Sequence, residues 1–214
     1  MKRINAFFAL FILLCTGVKA QKDSMVIYLD NTFQVTDRAG AFLVEKATPG
    51  DGLWYVTITT IKGNKKVMTG SYKDNRLEVA DGVFEYFNKD IVVMRGYYHR
   101  GTQYGSWKKW DNDSLLIDSI YFDAGEVVSS AKFQYHANRS LWRYSLLTQM
   151  KEKITRVYDT LGVLESEGHF IDKNGETFLY YPSHKVKSHS VFKDNVRTVY
   201  ELFDEQGNKL AATQ

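Results

Sequence analysis

Gly96-Tyr97-Tyr98-His99-Arg100-Gly101-Thr102-Gln103-Tyr104-Gly105-Ser106-Trp107-Lys108-Lys109-Trp110 opens on a glycine with an aromatic two places on, Gly96 and Tyr98. It closes on a glycine followed by two more aromatics, Gly105, Trp107 and Trp110. Aromatic side chains favour the pleated, half-buried surface of a sheet, and the apolar residues do not recur at the three-and-four spacing of a helix face. A glycine ahead of an aromatic strand lets the backbone turn or approach a neighbour closely. The stretch predicts paired β-strands.

The same elements recur on both sides. Glycine or a small residue, then an aromatic two places on, appears as Gly70-Ser-Tyr72, Ala131-Lys-Phe133 and Gly168-His-Phe170. The longer element appears as Gly82-Val-Phe84-Glu-Tyr86, as Ser140-Leu-Trp142-Arg-Tyr144, and loosely as Gly175-Glu-Thr177-Phe-Leu-Tyr180. Placing Gly125 over Gly162 also aligns Tyr121 with Tyr158, Ser129 with Ser166, Ala131 with Gly168 and Phe133 with Phe170. Spacing runs 23 residues from Gly82 to Gly105, then 35 to Ser140 and 35 to Gly175, a rhythm that loosens and that Ser145–Lys153 interrupts. Self-similarity on this scale predicts an array of supersecondary units that bury their faces against one another.

Alternation and turn chemistry agree with strands. Val56, Ile58 and Thr60 fall on one face and Tyr55, Thr57 and Thr59 on the other; Phe84 and Tyr86 share a face, as do Trp142 and Tyr144. Turn signals separate such runs at Lys62-Gly63-Asn64, Asp123-Ala124-Gly125, Asp172-Lys173-Asn174-Gly175 and Asp204-Glu205-Gln206-Gly207. Asn174-Gly175 is the sharpest of them, since both residues tolerate the positive φ of a tight hairpin turn. The expected fold is all-β, an elongated antiparallel sheet of consecutive hairpins, with Phe84, Trp107 and Trp142 forming an apolar ladder across it. The competing reading makes those rings an exposed platform for stacking a ligand.

The N-terminus predicts export. Lys2 and Arg3 precede an unbroken apolar run from Ala6 to Cys15, and Val18 and Ala20 occupy the small-residue positions of a signal-peptidase site. The run is about half what a bilayer span requires. Cys15 follows Leu14, where a lipoprotein signal wants a small residue, so cleavage after Ala20 is preferred over lipidation. The expected division is 1–20 signal peptide, 21–68 β-rich segment and 69–214 repeat region, with no transmembrane segment after cleavage. The chain has 28 basic and 25 acidic residues. Losing Lys2, Arg3 and Lys19 leaves 25 against 25, so the mature chain is formally neutral. That removes the electrostatic footprint of a nucleic-acid binder and weakens the case for an anionic membrane, while leaving room for a local patch. The single cysteine leaves with the signal, so no disulfide staples the fold.

Catalytic motifs are missing from the sequence. It contains no nucleophile elbow, phosphate loop, zinc-protease helix motif or paired-cysteine zinc pattern, and no cofactor is expected. His184 and His189 are poorly spaced for shared ligation. Glu165 and Glu167 on one strand face have the arrangement that two-carboxylate hydrolysis needs, but two acids on a wet strand face are far commoner. Asp111-Asn112-Asp113-Ser114 lacks the glycine and distal glutamate of a calcium loop and is read as a hairpin turn. Lys151-Glu152-Lys153 is read as a solvated edge that discourages aggregation.

The run from Gly96 to Trp110 resembles the MORN-repeat variant, a unit of the form G-x-Y-x-x-G-x-x-x-G-x-W-x-x-Y. Tyr121-Phe-Asp-Ala-Gly125-Glu-Val127 resembles the hairpin of the next unit. The resemblance is strong over 69–128 and fair over 157–181, with Ser140 in place of a glycine and Thr177 in place of the tryptophan. Proteins of this kind include YwqK-family antitoxins and exported repeat proteins of Bacteroidetes, some carrying a TonB-like domain. An elongated sheet of repeats offers a long face suited to a partner, so the expected role is a non-enzymatic binding or scaffolding module, periplasmic, outer-membrane-associated or extracellular, whose partner is an unknown protein or envelope component. Two alternatives stand beside it: an envelope-assembly or TonB-associated role, which the resemblance implies, and a glycan hydrolase using Glu165 and Glu167, which the residues alone suggest.

Overall fold

In the computed structural model, which describes residues 23–210, the chain is a single antiparallel sheet. Its strands are β1 (Met25–Leu29), β2 (Leu43–Gly50), β3 (Leu53–Thr60), β4 (Lys66–Tyr72), β5 (Gly82–Asn88), β6 (Ile91–His99), β7 (Thr102–Trp110) and β8 (Leu116–Asp123). They continue as β9 (Glu126–Tyr135), β10 (Leu141–Thr148), β11 (Glu152–Tyr158), β12 (Leu164–Ile171), β13 (Asn174–Tyr180), β14 (Val186–Lys193) and β15 (Val196–Leu202). Each strand pairs with the next in sequence order, and β1 does not pair with β15. The expected all-β array of hairpins is present, and among the described residues there is no helix. The 68/69 division falls inside β4, through which the sheet runs unbroken. The signal peptide and its Ala20 site lie outside the described residues.

Two kinds of turn alternate over the C-terminal half, and they explain the repeat. On one rim, two-residue turns such as Ala124–Gly125 and Asp194–Asn195 place both residues at positive φ, the twist-matched hairpin geometry. On the other rim, five-residue loops begin at Asp111, His136, Asp159, Tyr181 and Asp204, each with its first N–H donating to the fifth carbonyl. Asp111, Asp159 and Asp204 also accept two backbone N–H groups on Oδ1, those of residues two and four places on. Neighbouring loops are tied along the rim: Arg139 Nη2 donates to Asp113 O at 2.5 Å, Asn138 Nδ2 to Thr160 O at 2.9 Å and Tyr181 Oη to Phe203 O at 2.9 Å.

This geometry corrects five expectations. The period does not loosen: the loop starts stand 25, 23, 22 and 23 residues apart. The superposition of Gly125 on Gly162 fails because Gly125 lies in a two-residue turn on one rim and Gly162 in a five-residue loop on the other. An offset of 37 residues spans three strands, an odd number, so it matches strands running in opposite directions. Ser145–Lys153 interrupts nothing, since Gln149–Lys151 is the hairpin turn between β10 and β11. Lys151-Glu152-Lys153 therefore lies at an interior hairpin and not at a sheet edge. Finally, the turn after β12 is Asp172–Lys173, with Asp172 at positive φ; Asn174 and Gly175 are already paired with Ile171 and Phe170.

The two faces differ. Register places Ala47, Val56 and Gly70 on one face of β2–β4, and Phe84 opposite Gly96 continues it. That face holds the core, Leu29, Leu43, Ala47, Trp54, Val56, Ile58, Met68, Phe84, Trp107 and Phe122, all buried. Tyr55, one residue from Val56, points the other way and is exposed, as its alternation predicts.

Candidate functional site

Four of the predicted motif residues, Tyr72, Phe84, Tyr98 and Trp107, line up with Phe122 in an aromatic row. Phe84 is 2 % and Trp107 6 % exposed. Ring centroids run Tyr72–Phe84 5.4 Å, Phe84–Tyr98 4.8 Å, Tyr98–Trp107 5.1 Å and Trp107–Phe122 6.5 Å, each pair nearly perpendicular. Edge-to-face pairs contribute roughly 0.5–1.5 kcal/mol each beyond burial. In two of the Gly-x-aromatic elements the glycine lies beneath a ring of the next strand: a Cβ on Gly70 would overlap Phe84, and one on Gly96 would overlap the Trp107 indole. The aromatic two places on, Tyr72 or Tyr98, then meets the edge of that ring. Burial also pushes the hydroxyls of Tyr72, Tyr86 and Tyr98 up, and that of Tyr72 to about 12, with Glu45 adding to the effect.

Trp142 does not join the row. β10 carries an irregularity between Leu141 and Arg143, opposite Tyr135 and Gln134, which leaves Trp142 as the extra residue of a bulge. It is 40 % exposed and its nearest ring partner is His136, 6.3 Å away. Tyr144, expected beside it, instead packs on Phe133 at 5.4 Å. Phe122, which follows no glycine motif, takes the place expected for Trp142. Trp110 ends β7 at another irregularity, paired with Leu116. Further along, Gly175 is not a turn glycine: it sits in register between Phe170 and Phe192, and a Cβ there would overlap the Phe170 ring. Gly168 faces Thr177, and a Cβ there would stand in ordinary contact, 3.5 Å, with both Thr177 and the Phe170 ring.

On the face opposite the row, the same strands expose a second aromatic set. Val83, Tyr97 and Tyr104 are direct register partners across β5–β7, and Tyr121 on β8 lies diagonal to Tyr104, opposite Ser106. All four are exposed, Tyr97 at 37 % and Tyr104 at 44 %. Tyr97 and Tyr104 belong to the decisive stretch, but were not singled out there. The visible signal was the adjacency of Tyr97 and Tyr98, which must face opposite ways on a strand.

A cluster of titratable residues, Arg156, Glu167, His169, Glu176, His189 and Glu201, lies on that exposed side at the far end of the sheet. Arg156 Nε donates to Glu167 Oε1 at 2.6 Å, and His169 Nε2 approaches the same oxygen at 3.2 Å, off the hydrogen-bonding direction. Burial pushes the Glu167 carboxyl up, but His169 and Arg156 outweigh it and hold the group below the usual carboxylate range. His189 stacks on Phe178 at 4.6 Å and places its two ring nitrogens 3.1 Å from Glu176 and 3.4 Å from Glu201. Lys209 and His189 hold the Glu201 carboxyl low. Glu165 is exposed at the bulge opposite Tyr158, while Glu167 is engaged by Arg156. His184 lies in the Tyr181–Lys185 loop and His189 in β14, apart from one another. Among the described residues, no group of three or more His, Cys, Asp or Glu is arranged to hold a metal, and no helix is long and apolar enough to cross a membrane.

No protein-family model matches the chain, and no curated protein matches it in sequence.

Proposed function

We propose that the chain is an exported, non-enzymatic binding or scaffolding module of MORN-like hairpin repeats, acting in the cell envelope or outside the cell. The exposed tyrosine face of β5–β8 is its contact surface for a protein partner. The observation that carries this reading is the in-register line Val83–Tyr97–Tyr104, left open to solvent on strands whose other face is filled by Phe84 and Trp107. Tyrosine is enriched where protein interfaces form, because it offers large rigid contact area with a polar tip. A one-layer sheet whose loops are tied along a rim holds such a surface in place.

Capture from envelope extracts with the mature chain and with the Tyr97→Ser/Tyr104→Ser pair tests it. A partner retained by the first and lost by the second, at unchanged thermal midpoint, is the expected result. Equal retention by both sinks the assignment of this face. Export is checked by mass spectrometry of the native protein, which should begin at Gln21; an intact Met1 in the cytosol contradicts it.

A further inference from the structure

Three glutamates of the C-terminal half lie on one face of the sheet. Glu167, Glu176 and Glu201 share one side with Arg156, as register shows: Arg156 opposite Glu167, and His189 opposite Glu201. On the other side, the row Ser130–Leu147–Lys153 and the row Lys132–Ser145–Thr155 run across β9–β11. Trp107 pairs with Ile120 and Ile120 with Ser130, so this is the continuation of the face that holds the aromatic core. Here the large rings give way to short hydroxyls flanked by two lysines.

We propose that this face of β9–β11 binds a tetrahedral oxyanion of the phosphate or sulfate class, held by Lys132, Lys153, Ser130 and Ser145. A cavity of about 250 Å³ is lined by these four residues together with Leu146 and Leu147, room for an ion and several waters at roughly 30 Å³ per water. Lys132 and Lys153 stand on the two strands either side of β10, so their side chains bracket Ser145. Both are exposed, and among the described residues neither forms an ion pair with a carboxylate. Arg143, two residues from Ser145 on the same strand face, has a buried Nε without a hydrogen-bond partner. One acid borders the site: Asp118, in register between Lys109 and Lys132, whose Oδ1 is also without a partner. It balances one of the cations and leaves the others uncompensated. Ammonium and hydroxyl donors without a lining carboxylate suit an oxyanion and repel a metal cation. The site lies on the opposite face from the tyrosines, so it stands or falls apart from the partner surface proposed above.

Titration with sodium phosphate at constant ionic strength, against sodium chloride, decides it, followed by backbone amide resonances. The expected result is a saturable shift confined to β9–β11, weakened about tenfold by Lys132→Gln or Lys153→Gln, the loss of one charge-assisted contact. Lys153→Arg should retain binding, and Lys65→Gln in the β3–β4 loop should leave it unchanged. No saturable shift, a shift that survives both glutamine variants, or an equal response to chloride would overturn the assignment.

Discussion

The Trp107 indole lies on the bare backbone of Gly96, one strand away, and its Nε1 donates to Tyr97 O at 3.2 Å. The hydrogen bond anchors the ring over Gly96, and the missing Cβ leaves the space it fills. Gly70 and Phe84 repeat the relationship two strands earlier. Each unit therefore depends on a glycine in one strand and a ring in the next, which is why neither hairpin buries its face alone.

Gly96→Ala should destabilise the protein by about 1–3 kcal/mol or more, the usual cost of forcing volume into a packed core. A urea midpoint unchanged from the unmutated chain would show that the ring is not seated on Gly96.

Ala124 adopts φ 48° beside Gly125 at φ 89°, a conformation that costs a residue with a Cβ roughly 1–2 kcal/mol. Asparagine accepts it more readily, and Asn-Gly is the favoured pair for this turn. Ala124→Asn should stabilise the protein by about 0.5–1 kcal/mol, visible as a raised thermal midpoint; a lowered one would contradict the turn geometry.

At alkaline pH the core should fail through Tyr72. Its hydroxyl is pushed to about 12 in the folded chain against about 10 when unfolded. The raised value contributes stability that is complete below pH 10 and disappears as pH climbs through 12. Chemical denaturation from pH 9 to 12 should show this loss, and Tyr72→Phe should shrink it.

At acid pH the sign is opposite for Glu167. Its carboxyl is held low by His169 and Arg156, so its contribution is present above the unfolded value of about 4.3 and is lost as pH falls through the folded one. Glu167→Gln should flatten the acid limb of the stability profile; an unchanged limb would assign acid lability elsewhere.

Much of the fold was legible because strands alternate with a period of two. Val56 and Ile58 are buried while Tyr55 is exposed, and Phe84 with Trp107 fell on the core side as read. What was not legible concerns glycine and bulges. Glycine serves turns and ring seats alike, so Gly175 was mistaken for the first when it performs the second, and Gly125 was matched to Gly162 across opposite rims. A bulge is set by pairing, which local sequence does not mark, and the one at Trp142 put that ring into solvent while Phe122 took its place. The network around His189 joins Glu176 and Glu201, 13 and 12 residues away on separate strands, a spacing no short motif carries.

The central claim is that the aromatic row is core and that binding belongs to other surfaces. Urea denaturation of Trp107→Ala beside Trp142→Ala tests it most directly. Trp107→Ala should cost roughly 3–5 kcal/mol, as expected for a large buried aromatic, while Trp142→Ala, at an exposed bulge, should stay within about 0.5–1 kcal/mol of the unmutated chain. Near-neutral results for both would contradict the account and turn the Trp107 face into a ligand platform.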